Sequence, residues 1–282
     1  AGVCRDCKVL AVKVLNDWGW GYYSWIASGI IYAVQHGADV INMSLGGSGY
    51  SWTLRNAVRY AHDAGVTIVA SAGNSYCYYY STVGYPAKFA ETIAVAATTS
   101  SNYRAYFSSC GPELDISAPG DNIFSTYRYN GYRWWSGTSM AAPHVAGAVG
   151  VLLAIKPNLS PEQIRQYLQD TAQYLGSWRY YGAGLLDMPA LLKEVAIWGT
   201  EGTDYLMGSY QDDVICGLGG DDQIFGFEGD DLLLGGPGQD TIYGNEGNDF
   251  IVGGSGYDFI WGGMGEDFCY DKKDSRNDCE YH

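Results

Sequence analysis

Hydrophobic positions in the first two-thirds of the chain alternate between short apolar runs and helical spacing. The short apolar runs predict buried strands, at residues 9–15, 40–45, 66–71 and 92–98. Apolar residues three and four apart, or an Ala-rich composition, predict helices at residues 23–36, 52–64 and 139–155. Ser160 followed by Pro161 is typical of a helix start, and the helix is expected to run to about Gln173. Apolar strands alternating with helices predict a parallel α/β sheet covered by helices on both faces.

After Trp198 the pattern changes to a repeat of nine residues. Each copy begins with glycine, has aspartate five residues later, and has an apolar residue (Cys in the last copy) two positions further on. The glycines are Gly199, Gly208, Gly217, Gly226, Gly235, Gly244, Gly253 and Gly262. The aspartates are Asp204, Asp213, Asp222, Asp231, Asp240, Asp249, Asp258 and Asp267. Eight copies in phase predict stacked short strands with one inward side chain each, two copies making one coil of an all-β roll.

The stacked aspartates of such a roll predict a cation partner. Strand spacing would set the carboxylates roughly 5 Å apart, where they repel unless a hard cation bridges them. Oxygen ligands of this kind suit Ca²⁺. A flexible Gly/Asp linker is the alternative, and it leaves the inward apolar phase unexplained.

The charge distribution supports a division of the chain into domains. Residues 1–198 carry a net charge of +1 and residues 199–282 a net charge of −16. Nucleic acids and anionic membranes are disfavoured as partners, because both attract basic surfaces. No run of eighteen apolar residues predicts a membrane span. We expect an α/β domain at residues 1–197, a β-roll at 198–270 and a C-terminal tail at 271–282; the oligomeric state is left open.

Seven cysteines leave at least one thiol unpaired within the chain. Cys4 and Cys7 have the spacing of half a zinc knuckle, but no second such pair occurs. A local disulfide in an oxidising compartment is the favoured interpretation. Cys269 and Cys279 are candidates for a disulfide that clips the C-terminus, although spacing alone does not establish pairing.

A candidate nucleophile lies at the start of the Ala-rich helix. Residues 137–144 read Gly-Thr-Ser-Met-Ala-Ala-Pro-His, which places Ser139 in a first helical turn where backbone N–H groups are free and negative charge is favoured. Ser139 taken alone is more typical of a helix cap than of a nucleophile. The stretch resembles the nucleophile motif of subtilisin-like serine proteases, however. Further matches follow in family order at residues 11–15, 23–26, 39–47, 71–74, 81–86, 107–115, 118–120 and 180–187.

The resemblance implies a role for several residues. Ser139 would be the acylating nucleophile, and the side-chain amide of Asn74 would stabilise the oxyanion. An extended substrate would pair with the edge formed by Ser44, Leu45 and Gly46. The remaining expected substrate-binding residues are Tyr23, Ala72 and Gly73.

The family's catalytic Asp and His motifs, Asp-Ser/Thr-Gly and His-Gly-Thr-His, do not occur in this sequence. A serine nucleophile needs an adjacent base. We therefore expect that this chain alone is inactive and folds poorly, and that the missing segment precedes it in a longer protein. The alternatives are a catalytically degenerate binding protein on the same scaffold and a calcium-dependent surface module. Ser75 follows Asn74 where many relatives carry an acid, so we hypothesise a preference for aromatic or apolar residues before the scissile bond.

The nonapeptide tail is similar to the RTX repeat family, whose turns bind Ca²⁺ through aspartate carboxylates and carbonyl oxygens. By this resemblance the eight repeat aspartates are the expected metal ligands. Gln211 stands where the second glycine belongs, which is expected to weaken the site of Asp213. Extracellular calcium modules bind at about 10⁻⁴ to 10⁻³ M. The sequence therefore predicts a secreted, extracellular protein with calcium as cofactor and extended polypeptides as substrates.

Overall fold

The computed structural model describes residues 3, 4 and 7–270. The chain divides into two compact units. The first runs to Leu191 without Ile155–Pro157, and the second contains those three residues and the chain from Leu192 onward. The division falls inside the last helix.

Helices and a parallel sheet make up the first unit. The helices are α1 (Tyr23–Gln35), α2 (Trp52–Asp63), α3 (Thr138–Ile155), α4 (Pro161–Asp170), α5 (Trp178–Tyr181) and α6 (Met188–Val195), the last of which crosses the division. The strands are β1 (Val40–Met43), β2 (Thr67–Ser71), β3 (Thr92–Thr98) and β4 (Ile116–Pro119), paired in that order and all parallel. An antiparallel hairpin of β5 (Ile123–Tyr127) and β6 (Gly131–Trp135) precedes α3.

The two central strands of the sheet are buried on both faces, and most of their residues are apolar. Every residue of β2 and β3 is buried. On one face Ile68 and Ala94 pack with Ile30 of α1 and Leu54 of α2 in one core cluster. On the other face lies Ala97, since alternate strand residues point to opposite sides. The result is the predicted α/β fold with a parallel sheet.

Local sequence signals set the ends of two helices. Ser51 caps α2 by accepting the backbone N–H of Leu54. Ser160 caps α4, exchanging hydrogen bonds with Gln163 in a capping box, and Pro161 occupies the first helical position. The predicted helices and three of the four predicted strands form within a few residues of their expected limits.

The strand predicted at residues 9–15 does not form. Within the described chain this segment pairs with no other strand, and the side chain of Val9 is 89% exposed. Val12 and Val14 instead pack beside Gly29 of α1. An apolar run becomes a strand only where another strand completes its hydrogen bonds.

By length and composition alone, the helix α3 could cross a membrane. The sequence analysis had predicted no membrane span, because the chain has no run of eighteen apolar residues. Core helices pass the same test. Ala141, Val145, Val149 and Leu152 are fully buried in the first unit, so in this fold α3 is a core helix.

Short parallel strands form the second unit as two sheets. The strands are β7 (Ile197–Trp198), β8 (Tyr205–Met207), β9 (Val214–Cys216), β10 (Gln223–Glu228), β11 (Leu232–Pro237), β12 (Thr241–Glu246), β13 (Phe250–Ser255), β14 (Phe259–Met264) and β15 (Phe268–Tyr270). One sheet has the order β14-β12-β10-β8 and the other β15-β13-β11-β9-β7. Successive copies therefore alternate between sheets, and strands eighteen residues apart are neighbours, as in Ile224 beside Ile242.

The inward apolar positions predicted from the repeat form the core of the roll. Ile215, Ile224, Leu233, Ile242 and Ile251 are fully buried. Ile260 is nearly so, and Leu206 and Cys269 pack against the same cluster. This confirms the nine-residue phase.

Candidate functional site

Ser139 is the second residue of α3 and is half-buried. Its backbone N–H has no acceptor within the helix, because the first four N–H groups of a helix lack one. Its hydroxyl Oγ lies 3.3 Å from the backbone oxygen of Ser44, to which it donates. In return the Ser44 hydroxyl donates to the backbone oxygen of Ser139 at 2.8 Å. The segment after β1 and the start of α3 are thereby held together.

The side chain of Asn74 is oriented by the residue that precedes Ser139. Asn74 Oδ1 accepts the backbone N–H of Thr138 at 2.9 Å and its hydroxyl at 3.1 Å. The Thr138 hydroxyl also accepts the N–H of Gly73 at 3.1 Å. Since both donors meet Oδ1, the Nδ2 group of the amide is left for another partner. The sequence analysis assigned no role to Thr138, which is fully buried.

A cleft of about 570 Å³ brings most of the predicted substrate-binding residues together with Ser139. Leu45, Gly46, Ala72 and Gly73 line it, as do Asn74 and Thr138. Ser44 and Tyr23 are not in its lining. Ser44 instead contacts Ser139 as described, and Tyr23 donates its hydroxyl to the backbone oxygen of Gly49 at 2.8 Å.

The segment after β1 that contains Gly46 and Gly47 already forms backbone hydrogen bonds at one end. Gly47 and Tyr85 exchange backbone hydrogen bonds of 2.9 and 2.8 Å. Leu45 and Gly46 precede this bridge, and Gly46 is exposed. Their role as an edge for an extended peptide stays a prediction.

A tyrosine-rich loop forms another wall of the cleft and was missed by the sequence analysis. Tyr78 and Tyr80 line the cleft and stack on each other with ring centroids 5.7 Å apart. Arg179 binds the backbone oxygens of both. A disulfide between Cys77 and Cys110 ties the loop to the body of the unit.

The structure tests some of the expectations for the remaining cysteines. Cys4 and Cys7 form a disulfide, which excludes the zinc alternative for this pair. Cys216 is a free thiol, and burial raises its pKa. Cys269 is disulfide-bonded, while Cys279 lies outside the described residues.

The histidines of the described chain have other partners than Ser139. His36 stacks on Tyr32. The Nε2 atom of His62 lies 2.6 Å from a carboxylate oxygen of Glu162. His144 donates from Nδ1 to the backbone oxygen of Met140. His282, the fourth, lies outside the described residues.

In the second unit the repeat aspartates form two hydrogen-bonded ladders. From Asp222 onward, the Oδ1 atom of each repeat aspartate accepts the backbone N–H of the aspartate eighteen residues earlier, at 2.9 Å from Asp222 to Asp240 and 2.9 Å from Asp231 to Asp249. These four side chains are 98% buried or more. Their Oδ2 atoms have no hydrogen-bond partner in the structure.

Burial raises the pKa of these carboxyls, because it disfavours the ionised form. The pKa of Asp231 rises to about 7, and those of Asp240 and Asp249 to about 6. The pKa of Asp222 is raised for the same reason. Neighbouring carboxylates of the ladder add to the effect in each case.

The orphaned oxygens meet a second oxygen at each turn. A Cβ added to Gly226 would lie 2.8 Å from the backbone oxygen of Gly244 and closer still to Oδ2 of Asp231. The same pairing recurs around Gly217, Gly235 and Gly244. In the part of the chain that the structure describes, no three His, Cys, Asp or Glu side chains are placed so that they alone could hold a metal ion. The oxygens therefore fit an ion bound by carboxylates together with carbonyls, which is the donor set that Ca²⁺ prefers.

Asp204 and Asp213 have different surroundings from the four fully buried aspartates. The Oδ2 atom of Asp204 accepts the backbone N–H and the hydroxyl of Thr200, at 2.6 and 2.8 Å. Asp213 has the same two bonds, with the same distances, from Ser209. Both carboxylates are only half-buried.

Comparison with known proteins finds a matching family for each of the two units. Residues 1–184 match the Subtilase family of peptidases. Four copies of the RTX calcium-binding nonapeptide repeat match residues 198–233, 208–242, 225–260 and 243–270. The chain therefore belongs to the subtilase family and carries RTX repeats, which bind calcium.

Individual relatives span different shares of their own length. Subtilisin DY of Bacillus licheniformis is 50% identical over 190 residues, covering 67% of this chain and 69% of that protein. Subtilisin E of Bacillus subtilis (strain 168) is 49% identical over 190 residues, and the match spans 50% of its length.

Solved structures give the same fold. A protease from Pseudoalteromonas arctica PAMC 21717 superposes with a TM-score of 0.65 at 35% identity, covering 69% of this chain and 65% of that one. Fervidolysin from Fervidobacterium pennivorans, a keratinolytic enzyme related to subtilisin, gives 0.56 at 37% identity over 62% of this chain and 29% of its own.

Proposed function

We propose that this chain supplies the nucleophile, the oxyanion donors and the substrate cleft of a secreted serine endopeptidase. Ser139 Oγ attacks the peptide carbonyl while a base takes its proton, and the leaving amine is protonated as the C–N bond breaks. The oxyanion accepts from the N–H of Ser139 and from Nδ2 of Asn74. The observation that carries this proposal is the pair of hydrogen bonds from Thr138 to Oδ1 of Asn74, which leave Nδ2 as the donor.

The substrate class is an extended polypeptide. Leu45 and Gly46 offer backbone groups for pairing with it, beside the bridge of Gly47 with Tyr85. Lys88 is the one charged residue among the described residues that line the cleft, and it is paired with Glu113 at 3.2 Å. With no acid in the lining, a basic side chain before the scissile bond lacks a partner there, which favours an aromatic or apolar residue.

These 282 residues do not hydrolyse peptides on their own. The bonds of Ser139 Oγ in the described chain lead to Ser44, not to an imidazole. In subtilisin itself, loss of the catalytic base lowers kcat about a million-fold. Activity requires an Asp and a His motif supplied from outside this sequence.

Secretion and domain organisation complete the proposal. Two disulfides, Cys4–Cys7 and Cys77–Cys110, persist in an oxidising compartment. Calcium turns of the extracellular affinity class remain empty at cytosolic calcium levels. We assign residues 1–197 to the peptidase domain and 198–270 to the roll.

The test is an activity assay with and without a grafted base. The 282-residue chain is assayed on a chromogenic peptide beside its Ser139→Ala variant, and again after fusion behind a segment of subtilisin DY that carries the Asp and His motifs. We expect no turnover from the chain alone and Ser139-dependent turnover from the fusion. Turnover by the chain alone that Ser139→Ala abolishes contradicts the inactivity. A folded but inactive fusion contradicts the role of Ser139.

A further inference from the structure

The roll contains two kinds of turn, distinguished by the residue that follows the first glycine of each copy. In copies three to eight this residue has a positive φ. These residues are Leu218, Phe227, Gly236, Asn245, Gly254 and Gly263, with φ between 75° and 115°. In the first two copies the position is held by Thr200 and Ser209, neither of which has a positive φ.

The hydroxyl residues of the first two copies saturate the aspartate oxygen that other copies leave open. A carboxylate oxygen has two lone pairs for hydrogen bonds. Thr200 fills both on Oδ2 of Asp204 with its N–H and its hydroxyl, and Ser209 does the same for Asp213. The Thr200 hydroxyl also accepts the N–H of Gly202 at 3.2 Å. The turn therefore satisfies its own polar groups.

Copies three to six present the opposite condition. There the Oδ2 atoms of Asp222, Asp231, Asp240 and Asp249 are buried without a donor. Each faces the backbone oxygen of the glycine that begins the copy two places on, which is Gly235, Gly244, Gly253 or Gly262. A buried carboxylate oxygen that has no donor and lies beside a carbonyl oxygen is unfavourable unless a cation binds both.

We propose that calcium binds at these four oxygen pairs and that Asp204 and Asp213 bind no ion. At Asp204 and Asp213 the N–H and hydroxyl of Thr200 and Ser209 occupy the place that the ion has in the later copies. This inference rests on the proposal that the repeat aspartates bind calcium, and it removes Asp204 and Asp213 from the set of ligands. The first coil is then a calcium-independent end cap on which the calcium-bound coils stack, in the way that terminal repeats cap other repeat proteins.

The first experiment compares matched carboxylate variants of the full 282-residue chain. Calcium bound per chain is measured by equilibrium dialysis with radioactive calcium for Asp204→Asn, Asp213→Asn, Asp222→Asn and Asp231→Asn. We expect the first two to bind as many ions as the parent, and the last two to bind at least one fewer. A lost ion in Asp204→Asn or Asp213→Asn overturns the inference and leaves the proposed ligands intact. Unchanged binding in Asp222→Asn and Asp231→Asn overturns the proposed ligands themselves.

A gain of binding provides the second measurement, which does not depend on a damaged roll. Thr200→Gly removes the hydroxyl and permits the positive φ of the later copies, so Asp204 Oδ2 is released opposite the backbone oxygen of Gly217. We expect one additional ion per chain. Thr200→Val is the control: it removes the hydroxyl but resists a positive φ, and its ion count stays that of the parent. An unchanged count in Thr200→Gly, with the roll folded by circular dichroism, overturns the inference.

Discussion

The backbone N–H and the hydroxyl of Thr138 converge on a single oxygen of Asn74, at 2.9 and 3.1 Å. The residue beside the candidate nucleophile therefore fixes the direction of the amide that we propose as an oxyanion donor. The two parts of the site are coupled, although they lie 64 residues apart in the chain.

This coupling predicts graded losses of activity, measured in the Ser139-active fusion. Asn74→Leu should lower kcat by about 100- to 1000-fold with little change in KM, the magnitude known for the oxyanion donor of subtilisin. Thr138→Val should lower kcat less, because the backbone N–H still holds the amide. The pair of kcat values, with KM from the same initial-rate series, checks this. A raised KM with an unchanged kcat in Asn74→Leu would instead assign Asn74 to ground-state binding and contradict its role as an oxyanion donor.

The cleft predicts a preference at the residue before the scissile bond. The same fusion should cleave a peptide with Phe at that position more efficiently than one with Arg, since Tyr78 and Tyr80 line the cleft and no acid does. Ser75→Glu should raise kcat/KM for the Arg peptide, because it places a carboxylate in the lining. Ser75→Gln serves as the uncharged control. A faster reaction of the parent with Arg would refute this preference.

Removal of calcium should make the stability of the roll depend on pH. The pKa values of Asp231, Asp240 and Asp249, at about 7, 6 and 6, lie above the ordinary value of 3.8. The folded roll then binds more protons than the unfolded chain between about pH 4 and pH 7, so its stability falls as the pH rises through that window. In a chelator, urea midpoints from circular dichroism should be lower at pH 8 than at pH 5.

Saturating calcium is the control for this pH dependence. Ligation requires ionised carboxylates, so calcium should oppose the trend and restore stability at pH 8. A chelator series in which the midpoint rises from pH 5 to pH 8 would contradict the assignment of buried carboxyls.

The two glycines at the fourth position of the first and fourth copies should respond differently to alanine. Gly229 has φ +119°, and a Cβ there would lie 2.5 Å from the backbone carbon of Gln211. Gly202 has no positive φ, and the nearest atom to its Cβ position is 3.7 Å away. Gly229→Ala should lower the urea midpoint of the calcium-bound roll by the equivalent of about 1–3 kcal/mol, while Gly202→Ala leaves it nearly unchanged. Equal effects would contradict the stacking.

The same contrast explains how far sequence alone predicts the roll. The nine-residue phase gave the inward residues correctly, because one inward side chain per short strand is a property of every copy. The expectation that Gln211 weakens the site of Asp213 stays a prediction. The nine-residue pattern describes what all copies share. It does not distinguish the first two copies, in which Thr200 and Ser209 stand where the later copies have a residue with positive φ.

In the first unit, prediction from the sequence was wrong or incomplete for features that depend on contacts between distant segments of the chain. Residues 9–15 have strand composition but no strand partner in the described chain. The Cys77–Cys110 disulfide and the bonds from Thr138 to Asn74 join segments that composition cannot relate. Helices, whose bonds are local, formed where expected, because their caps and apolar spacing are written in neighbouring residues.

The eighteen-residue step that separates bonded aspartates makes the length of the roll adjustable in discrete units. Excising two adjacent copies, such as residues 226–243, would leave each remaining strand in its own sheet and reconnect each carboxylate with an equivalent partner. Excising one copy would send all later strands to the opposite sheet. Duplication or loss of whole coils is therefore a path of change that this architecture leaves open.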